Sequence, residues 1–419
     1  MDVPDAIQLM GDKQWQEIKS RLTGKFNKMM KGLFRQKGAQ LDINILASDE
    51  AQEFITTHAG ILDAGFQKVE MSDKMRERLT RSNYIFSGIK TFHELNEAFP
   101  SMLDENGNKK PFERFLNDVQ KINDTYNANY LHAEYNFVQA SATMAAKWEQ
   151  FSEDGDRYYL QYRTAKDDKV RPEHAALDGV TLPMSDSFWE TYYPPNGWNC
   201  RCTVVQVRKQ KYPATEHGEA MSRGEEAMNG ERYNIFRFNS GKQGKTMPDY
   251  NPYTIRRCND CDVAKGKLKL GFVPNYQLCQ GCVMIRKCSE DRNRDNSAKA
   301  TKKSPEVKKL QGTTISNPDF NHEVLITGGS IKEWTNQPHK EYAAKNSILK
   351  HIAKVFREAN YIGTIDNFKK KPGVKQSHLF ETDVLGELSW IIVREYEIGE
   401  FVLHSISDSD KIKTGIRKE

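Results

Sequence analysis

The chain has 419 residues, of which 37 % are hydrophobic, and a formal charge of +5 from 62 Lys and Arg against 57 Asp and Glu. Its length predicts several domains of ordinary size, and its aromatic content of 10 % excludes a wholly disordered chain. No run approaches the roughly 18 apolar residues of a membrane helix. The start, Met1-Asp-Val-Pro-Asp, lacks the cationic and apolar regions of a signal peptide. We therefore expect neither a transmembrane nor a conventionally secreted protein.

Residues 1–98 form the first predicted region, which is helical because its apolar side chains recur at helical spacing. Ser72 stands where a helix N-cap is expected. A further helix is predicted to begin near Pro111, and a long one extends from Tyr126 to Trp148. These helices are interpreted as packing segments without chemistry of their own.

From Tyr158 onward the pattern changes to short strands and turns. After residue 288 nearly all large apolar side chains disappear, which predicts a flexible basic linker over 289–318. Residues 319–419 then form a new unit, with a helix from Tyr342 to Ala359 followed by three strand-like runs at 378–385, 388–396 and 399–406. A helix followed by consecutive strands predicts an α+β domain with an antiparallel sheet.

Two CxxC pairs, Cys258 with Cys261 and Cys279 with Cys282, are separated by 17 residues. Four thiolates in two tight turns complete the tetrahedron that Zn²⁺ prefers, and a closed site of this kind stabilises a fold and does not catalyse. The spacing predicts a small structural zinc ribbon over 256–288, whose folding energy comes largely from the metal. Four free thiols are the alternative, and Cys288 is interpreted as a spare thiol.

The same region is basic. Between Arg256 and Lys303 the chain carries an excess of seven positive charges. A basic ribbon and linker of this composition could contact DNA through its phosphates without reading sequence. The alternative interpretation is a charged face that only contacts solvent.

A second cluster of candidate metal ligands lies earlier in the chain. His174 and Asp178 are four residues apart and share a face if this segment is helical, and Cys200 and Cys202 follow. Together these side chains could bind a metal through imidazole, thiolate and carboxylate. The alternative is a buried polar network in which the cysteines pack as small apolar groups.

The run His174-Ala-Ala-Leu-Asp-Gly179 and the closing Pro194-Pro-Asn-Gly-Trp-Asn-Cys-Arg-Cys202 resemble the Mu F-like family of tailed-phage head morphogenesis proteins. The resemblance implies an α+β core over 99–255 without enzymatic activity. It also implies a minor capsid protein near the portal, with portal and capsid proteins as partners. The expected locations are the virion and, during assembly, the bacterial host cytoplasm. Many relatives carry a Cys just before the position of Pro172, where this chain has Val170 and Arg171, and this departure removes a possible ligand of the second metal cluster.

The last hundred residues contain side chains suited to metal-free RNA cleavage. One group removes the proton of the ribose 2′-hydroxyl, another protonates the leaving oxygen, and a cation stabilises the phosphate. His378 or His404 would be the base and the acid, and Arg394 would hold the phosphate. Ser405 or Ser407 would orient the substrate, and Lys345 would add charge. The order of elements resembles the phage-borne barnase–EndoU–colicin–RelE nucleases, which implies an RNA substrate, a toxin or effector role and an immunity protein as partner.

The sequence thus predicts a multidomain α+β protein: a helical N-terminal region, a Mu F-like α+β core, a zinc ribbon and a C-terminal α+β domain. The predicted function is a phage or prophage minor head protein that carries a ribonuclease effector. One alternative is a purely structural head protein whose inactive nuclease-like tail and basic ribbon bind DNA or capsid. Another is a DNA-packaging accessory protein that acts through the ribbon.

Overall fold

The computed structural model describes residues 12–37, 41–248, 251–253, 280–337, 342–367, 371–384 and 387–417. The chain divides into two compact units, Met1–Ser289 and Glu290–Glu419. Both contain helices and strands, which agrees with the multidomain α+β prediction. Within the described ranges, no helix is both long and apolar enough to cross a membrane.

Long helices dominate the first unit. They are α1 (Asp12–Phe34), α2 (Asp49–Ala64), α3 (Asp73–Ala98), α4 (Phe112–Asn123) and α5 (Leu131–Asp154), with a π-helical segment (Asp124–Tyr130) between α4 and α5. The Ser72 side chain accepts a hydrogen bond from the Met75 N–H at 3.1 Å, which confirms the predicted cap of α3. Such a cap contributes about 1 kcal/mol by satisfying one free amide of the first turn.

A small sheet follows the helices in the first unit. Its central strand β1 (Tyr159–Arg163) is antiparallel to both β2 (Thr181–Pro183) and β3 (Thr203–Val207). Short helices lie between and after these strands in the chain: α6 (Pro172–Ala175), α7 (Phe188–Thr191), α8 (His217–Ala227) and α9 (Ser240–Gln243). The sheet and the long helices share one hydrophobic core, which extends from Leu22 to Ile285. The predicted boundary between 98 and 99 therefore does not separate two cores.

The predicted linker over 289–318 differs from the structure, because most of it is regular. It is occupied by the end of helix α10 (Gln280–Lys303), by α11 (Pro305–Lys309) and by strand β4 (Thr314–Asn317). The segment contains seven Lys and Arg residues, which favour helices, and it buries small side chains such as Ala298 and Thr301. The lack of large apolar residues predicted a linker, but this segment forms helices whose buried side chains are small.

The predicted zinc ribbon lies mostly outside the described residues, since Cys258, Cys261 and Cys279 fall there. Cys282 is described and is buried in the first turn of α10. The start of α10 packs closely on α3. A Cβ at Gly88 would lie 2.6 Å from Cγ2 of Ile285, so only glycine permits this approach.

The second unit has a six-stranded sheet in the order β4-β5-β9-β8-β7-β6. Its strands after β4 are β5 (Phe320–Leu325), β6 (Asn360–Asp366), β7 (Val374–Val384), β8 (Glu387–Tyr396) and β9 (Phe401–Ser407). Helices α12 (Gly328–Asn336), α13 (Tyr342–Ile348) and α14 (Ile352–Glu358) lie between β5 and β6 in the chain. The sheet is antiparallel as predicted except for β5 and β9, which are parallel.

The contact of α3 with α10 gives a testable prediction. We expect Gly88→Ala to destabilise the first unit by roughly 1–3 kcal/mol, because the added methyl overlaps Ile285. The measurement is the free energy of urea-induced unfolding. Gly60→Ala is the matched control: Gly60 is an exposed residue inside α2 whose added Cβ would meet nothing within 4 Å. It should stabilise the chain by about 0.5–1 kcal/mol through helix propensity. Equal effects of the two substitutions would contradict the close packing at Gly88.

Candidate functional site

His174, Cys200 and Cys202, the His–Cys cluster, form the group of side chains best suited to bind a metal among the described residues. His174 lies in the single turn of α6, and both cysteines precede β3. The Nδ1 atom of His174 is 3.7 Å from Sγ of Cys200 and 3.8 Å from Sγ of Cys202. All three residues are buried, and Nε2 of His174 has no hydrogen-bond partner among the described residues. The predicted proximity of the imidazole and the two thiols is therefore present in the structure.

The two thiols have different proton affinities. The hydrogen bond from Cys202 lowers the pKa of Cys200 well below its usual value; burial opposes this effect and His174 adds to it. The same hydrogen bond, together with burial, raises the pKa of Cys202. The cluster therefore favours a thiolate at Cys200, and a thiolate is the form in which cysteine binds metals.

Asp178 does not join the cluster, which corrects the predicted ligand set. Helix α6 ends at Ala175, so the four-residue spacing no longer places Asp178 on the face of His174. Its carboxylate instead accepts hydrogen bonds from the N–H and the hydroxyl of Thr164, at 2.9 and 3.1 Å. It also lies 3.6 Å from the Lys166 ammonium. Asp178 therefore fixes the end of β1 and contributes no metal ligand.

Hydrogen bonds from the surrounding loops hold the cluster in place. The Arg171 guanidinium donates to the Trp198 carbonyl at 2.6 Å, and Arg201 forms a paired contact with Asp167 at 2.6 Å for both bonds. Asn199, directly before Cys200, adopts the left-handed backbone region with φ 56°. A small pocket opens beside the cluster. Its lining residues are Ala165, Lys169, Val170, Arg171, His174, Asn199, Cys200, Arg201 and Cys202.

The residues proposed for RNA cleavage lie in the second unit, and the sheet separates them. Directly paired residues share a face of a sheet, and neighbours along a strand alternate. His378 pairs with Val393, whereas Arg394 pairs with Ser377 and Val402. His378 and Arg394 therefore point to opposite faces. Ser405, paired with Ile392, and Ser407, paired with Trp390, share the face of Arg394.

The two remaining candidates have other surroundings. His404 is the extra residue of a β-bulge, where the register between β8 and β9 shifts. Lys345 is fully buried, and its ammonium pairs with Asp408 at 2.8 Å. Its charge is thus balanced inside the protein. The structure does not bring the six predicted residues into one site.

His378 instead belongs to a polar group on the face opposite Arg394. Its Nδ1 lies 3.0 Å from the Tyr361 hydroxyl, and its Nε2 lies 2.9 Å from a carboxylate oxygen of Glu395. Lys375 also contacts Glu395, at 2.6 Å. Burial raises the pKa of Glu395, but hydrogen bonds from Lys375, Gln376 and His378 outweigh it and lower that pKa to about 2. The Glu395 carboxylate therefore stays ionised and orients the imidazole.

A buried charged group in the first unit was missed by the sequence analysis. We define the Lys90 cluster as Lys90, Glu134, His58, Glu94 and Tyr253, all of which are buried. The Lys90 ammonium donates to Glu134 at 2.7 Å and to the Tyr126 carbonyl at 2.7 Å, and it lies 3.1 Å from Nε2 of His58. The available signal was the spacing of Asn83, Ser87, Lys90 and Glu94 along one face of α3.

Burial and the Lys90 charge set the protonation states in this cluster. Burial raises the pKa of Glu94 to about 8. Burial and then repulsion by Lys90 lower the pKa of His58 to about 4. Burial disfavours the charge on Glu134, but Lys90 and His58 overcome it and lower its pKa to about 2. At neutral pH the cluster therefore holds one ion pair, a neutral imidazole and a mostly protonated Glu94.

Comparison with known proteins matches the two units to different family models. Residues 106–205 match the family model described as "Phage Mu protein F like protein", and residues 293–403 match "Large polyvalent protein-associated domain 3". The first match supports the resemblance to Mu F-like proteins. The second replaces the expected nuclease family, so the nuclease resemblance is not shown. No solved structure matches the chain.

Two curated relatives agree with the first match. The chain is 31 % identical over 177 residues to "Putative capsid assembly protein F" of Escherichia phage Mu, which covers 41 % of this chain and 38 % of the relative. It is 26 % identical over 198 residues to "Mu-like prophage FluMu F protein" of Haemophilus influenzae, an alignment that covers 46 % of this chain and 42 % of the relative. The chain thus spans about two fifths of the length of each relative.

The raised pKa of Glu94 gives a prediction with a defined sign. Between 4.5 and about 8 the folded chain keeps a proton that the unfolded chain releases, so Glu94 destabilises the fold increasingly as pH rises through this window. Glutamine cannot ionise, so we expect the free energy of unfolding of Glu94→Gln to exceed that of the wild type by roughly 2–5 kcal/mol near pH 8 and by little near pH 4. Urea unfolding across this pH range measures the difference.

Glu77→Gln is the matched control for this prediction. Glu77 is exposed on the same helix, so its substitution should change stability little at any pH. A difference between Glu94→Gln and the wild type that stays constant from acid to alkaline pH would show that the pKa of Glu94 is the same in the folded and the unfolded chain, which would contradict the prediction.

Proposed function

We propose that the chain is a phage head-assembly protein and that its first unit supplies the assembly function. The observation that carries this proposal is the family match over residues 106–205, which lies entirely inside the first unit. The matched segment includes α4, α5, strands β1 and β2, the start of β3 and the His–Cys cluster. The printed name of the phage Mu relative, which refers to capsid assembly, points in the same direction. The proposed partners are portal and capsid proteins, and the proposed location is the virion.

Head assembly is tested by expressing the head genes of the phage with the tagged full chain, and again without it. We expect the tagged chain to co-purify with heads in a few copies. Omission should reduce the yield of normal heads in electron micrographs or their content of portal protein. The variant His378→Ala, changed only in the second unit, should assemble like the wild type. Heads of unchanged number and composition that lack the tagged chain would rule out this function.

Metal-independent RNA cleavage by the second unit is the second candidate function. The observation in its favour is the imidazole of His378, which lies between the Tyr361 hydroxyl and the ionised Glu395. A carboxylate that orients a histidine supports proton transfer by that histidine. Arg394, Ser405 and Ser407 lie on the opposite face and are no longer part of the proposed site. DNA contact through the basic ribbon and binding of an immunity protein stay predictions from the sequence.

The full chain, incubated with total bacterial RNA in the presence of a chelator, tests this candidate. We expect discrete cleavage that falls at least about a hundredfold in His378→Ala, the usual scale of one acid or base. Arg394→Ala is the matched control and should retain cleavage, because its side chain lies on the other face. Melting temperatures establish that both variants are folded. Intact RNA with the folded wild type, or undiminished cleavage by His378→Ala, would leave the second unit without this activity.

A further inference from the structure

We propose that the His–Cys cluster is a zinc site in which Nδ1 of His174 and the sulfurs of Cys200 and Cys202 are three ligands and a solvent molecule is the fourth. This inference goes beyond the proposed role in head assembly and does not depend on it. It also does not depend on the four cysteines of the predicted ribbon. The ion belongs to the class of divalent metals that prefer sulfur and nitrogen, among which zinc is the usual structural choice.

The distances between the ligand atoms agree with a tetrahedral ion. Zinc lies about 2.3 Å from a thiolate and about 2.0–2.1 Å from an imidazole nitrogen, so a tetrahedral angle places these two atoms about 3.6 Å apart. The observed separations from Nδ1 to the two sulfurs are 3.7 and 3.8 Å. All three ligand atoms lie within 4.8 Å of one another. The side chains therefore need little movement to bind an ion between them.

A hydrogen-bonded network without metal explains the cluster less well. Buried polar groups are normally satisfied by hydrogen bonds, and a thiol is a weak partner. Among the described residues, Nδ1 of His174 meets the two sulfurs of Cys200 and Cys202 and no stronger partner. A purely structural network would place better partners around a buried imidazole. A metal bond at Nδ1 supplies the strong interaction that the observed contacts do not.

The pocket beside the cluster, which the three ligands help to line, would hold the proposed solvent ligand. Its lining includes the basic side chains Lys169, Arg171 and Arg201. The lining residues include no carboxylate and no second imidazole that would serve as a general base for a metal-bound water. We therefore assign the ion a structural role, in which it links the α6 turn to the segment that precedes β3.

The experiment first removes the other candidate ligands. In the full chain, Cys258, Cys261 and Cys279 are replaced by serine, whereas Cys282 is retained because it is buried in α10. The zinc content of the purified chain is measured by elemental mass spectrometry. Cobalt substitution then reports thiolate ligation through its charge-transfer absorption. We expect about one metal ion per chain. Adding Cys200→Ala and Cys202→Ala should abolish both signals, whereas adding Cys288→Ala, the matched control, should leave them unchanged.

Two measurements keep the proposal testable if a variant fails to fold. X-ray absorption is measured on the zinc-loaded triple variant, the chain in which Cys258, Cys261 and Cys279 are serine. It should show two sulfur ligands and two lighter ligands, in contrast to the four sulfurs of a ribbon. If the triple variant does not fold, Cys200→Ala with Cys202→Ala in the otherwise unchanged chain must lower the zinc content by about one ion.

Three results would overturn the proposal. The first is a folded triple variant that takes up no zinc or cobalt when either is added in excess. The second is zinc content that does not fall when Cys200 and Cys202 are replaced. The third is a disulfide between these two cysteines in the freshly purified chain, which would make the cluster a redox pair.

Discussion

The buried ammonium of Lys90 is the constraint on which the first unit depends. Burial of a charge is strongly unfavourable unless the charge is paired and all its hydrogen bonds are made. Lys90 meets this condition through groups on three other elements: Glu134 on α5, His58 on α2 and the Tyr126 carbonyl of the π-helical segment. The Tyr253 hydroxyl donates to the other oxygen of Glu134. Any shift of one helix along another would leave a charge without its partner, so the cluster fixes the positions of the helices.

The sequence predicted the helices but not this arrangement of charge. Helical spacing and the Ser72 cap depend on neighbouring residues, and both can be recognised locally. Lys90 and Glu94, in contrast, resemble surface residues, because their partners are supplied by elements that are distant in sequence. Helix α10 was missed for a related reason. Its buried positions include small residues such as Ala298 and Ser289, and a search for large apolar side chains does not detect them.

The candidate sites show the same distinction. The motif around His174, Cys200 and Cys202 predicted correctly that these side chains meet, whereas Asp178 was placed with them on the assumption of a longer helix. In the second unit, alternation along a strand defines two faces but not which face is buried. The bulge at His404 then places Ser405 on the opposite face from Leu403, although the two are only two residues apart. The register of β7 against β8 puts His378 and Arg394 on opposite faces, and sequence alone does not give that register.

The Lys90 cluster and the His–Cys cluster differ in how their buried polar atoms find partners. In the Lys90 cluster the buried ammonium is paired with protein atoms, and Glu94 keeps its proton at neutral pH because burial raises its pKa. A change of protonation does not help His174 in the same way. A neutral imidazole always has one nitrogen that donates and one that accepts, so protonation cannot remove its need for two partners. Its surroundings supply two sulfurs and a pocket, and the proposed ion would bind Nδ1 of His174 together with the sulfurs of Cys200 and Cys202.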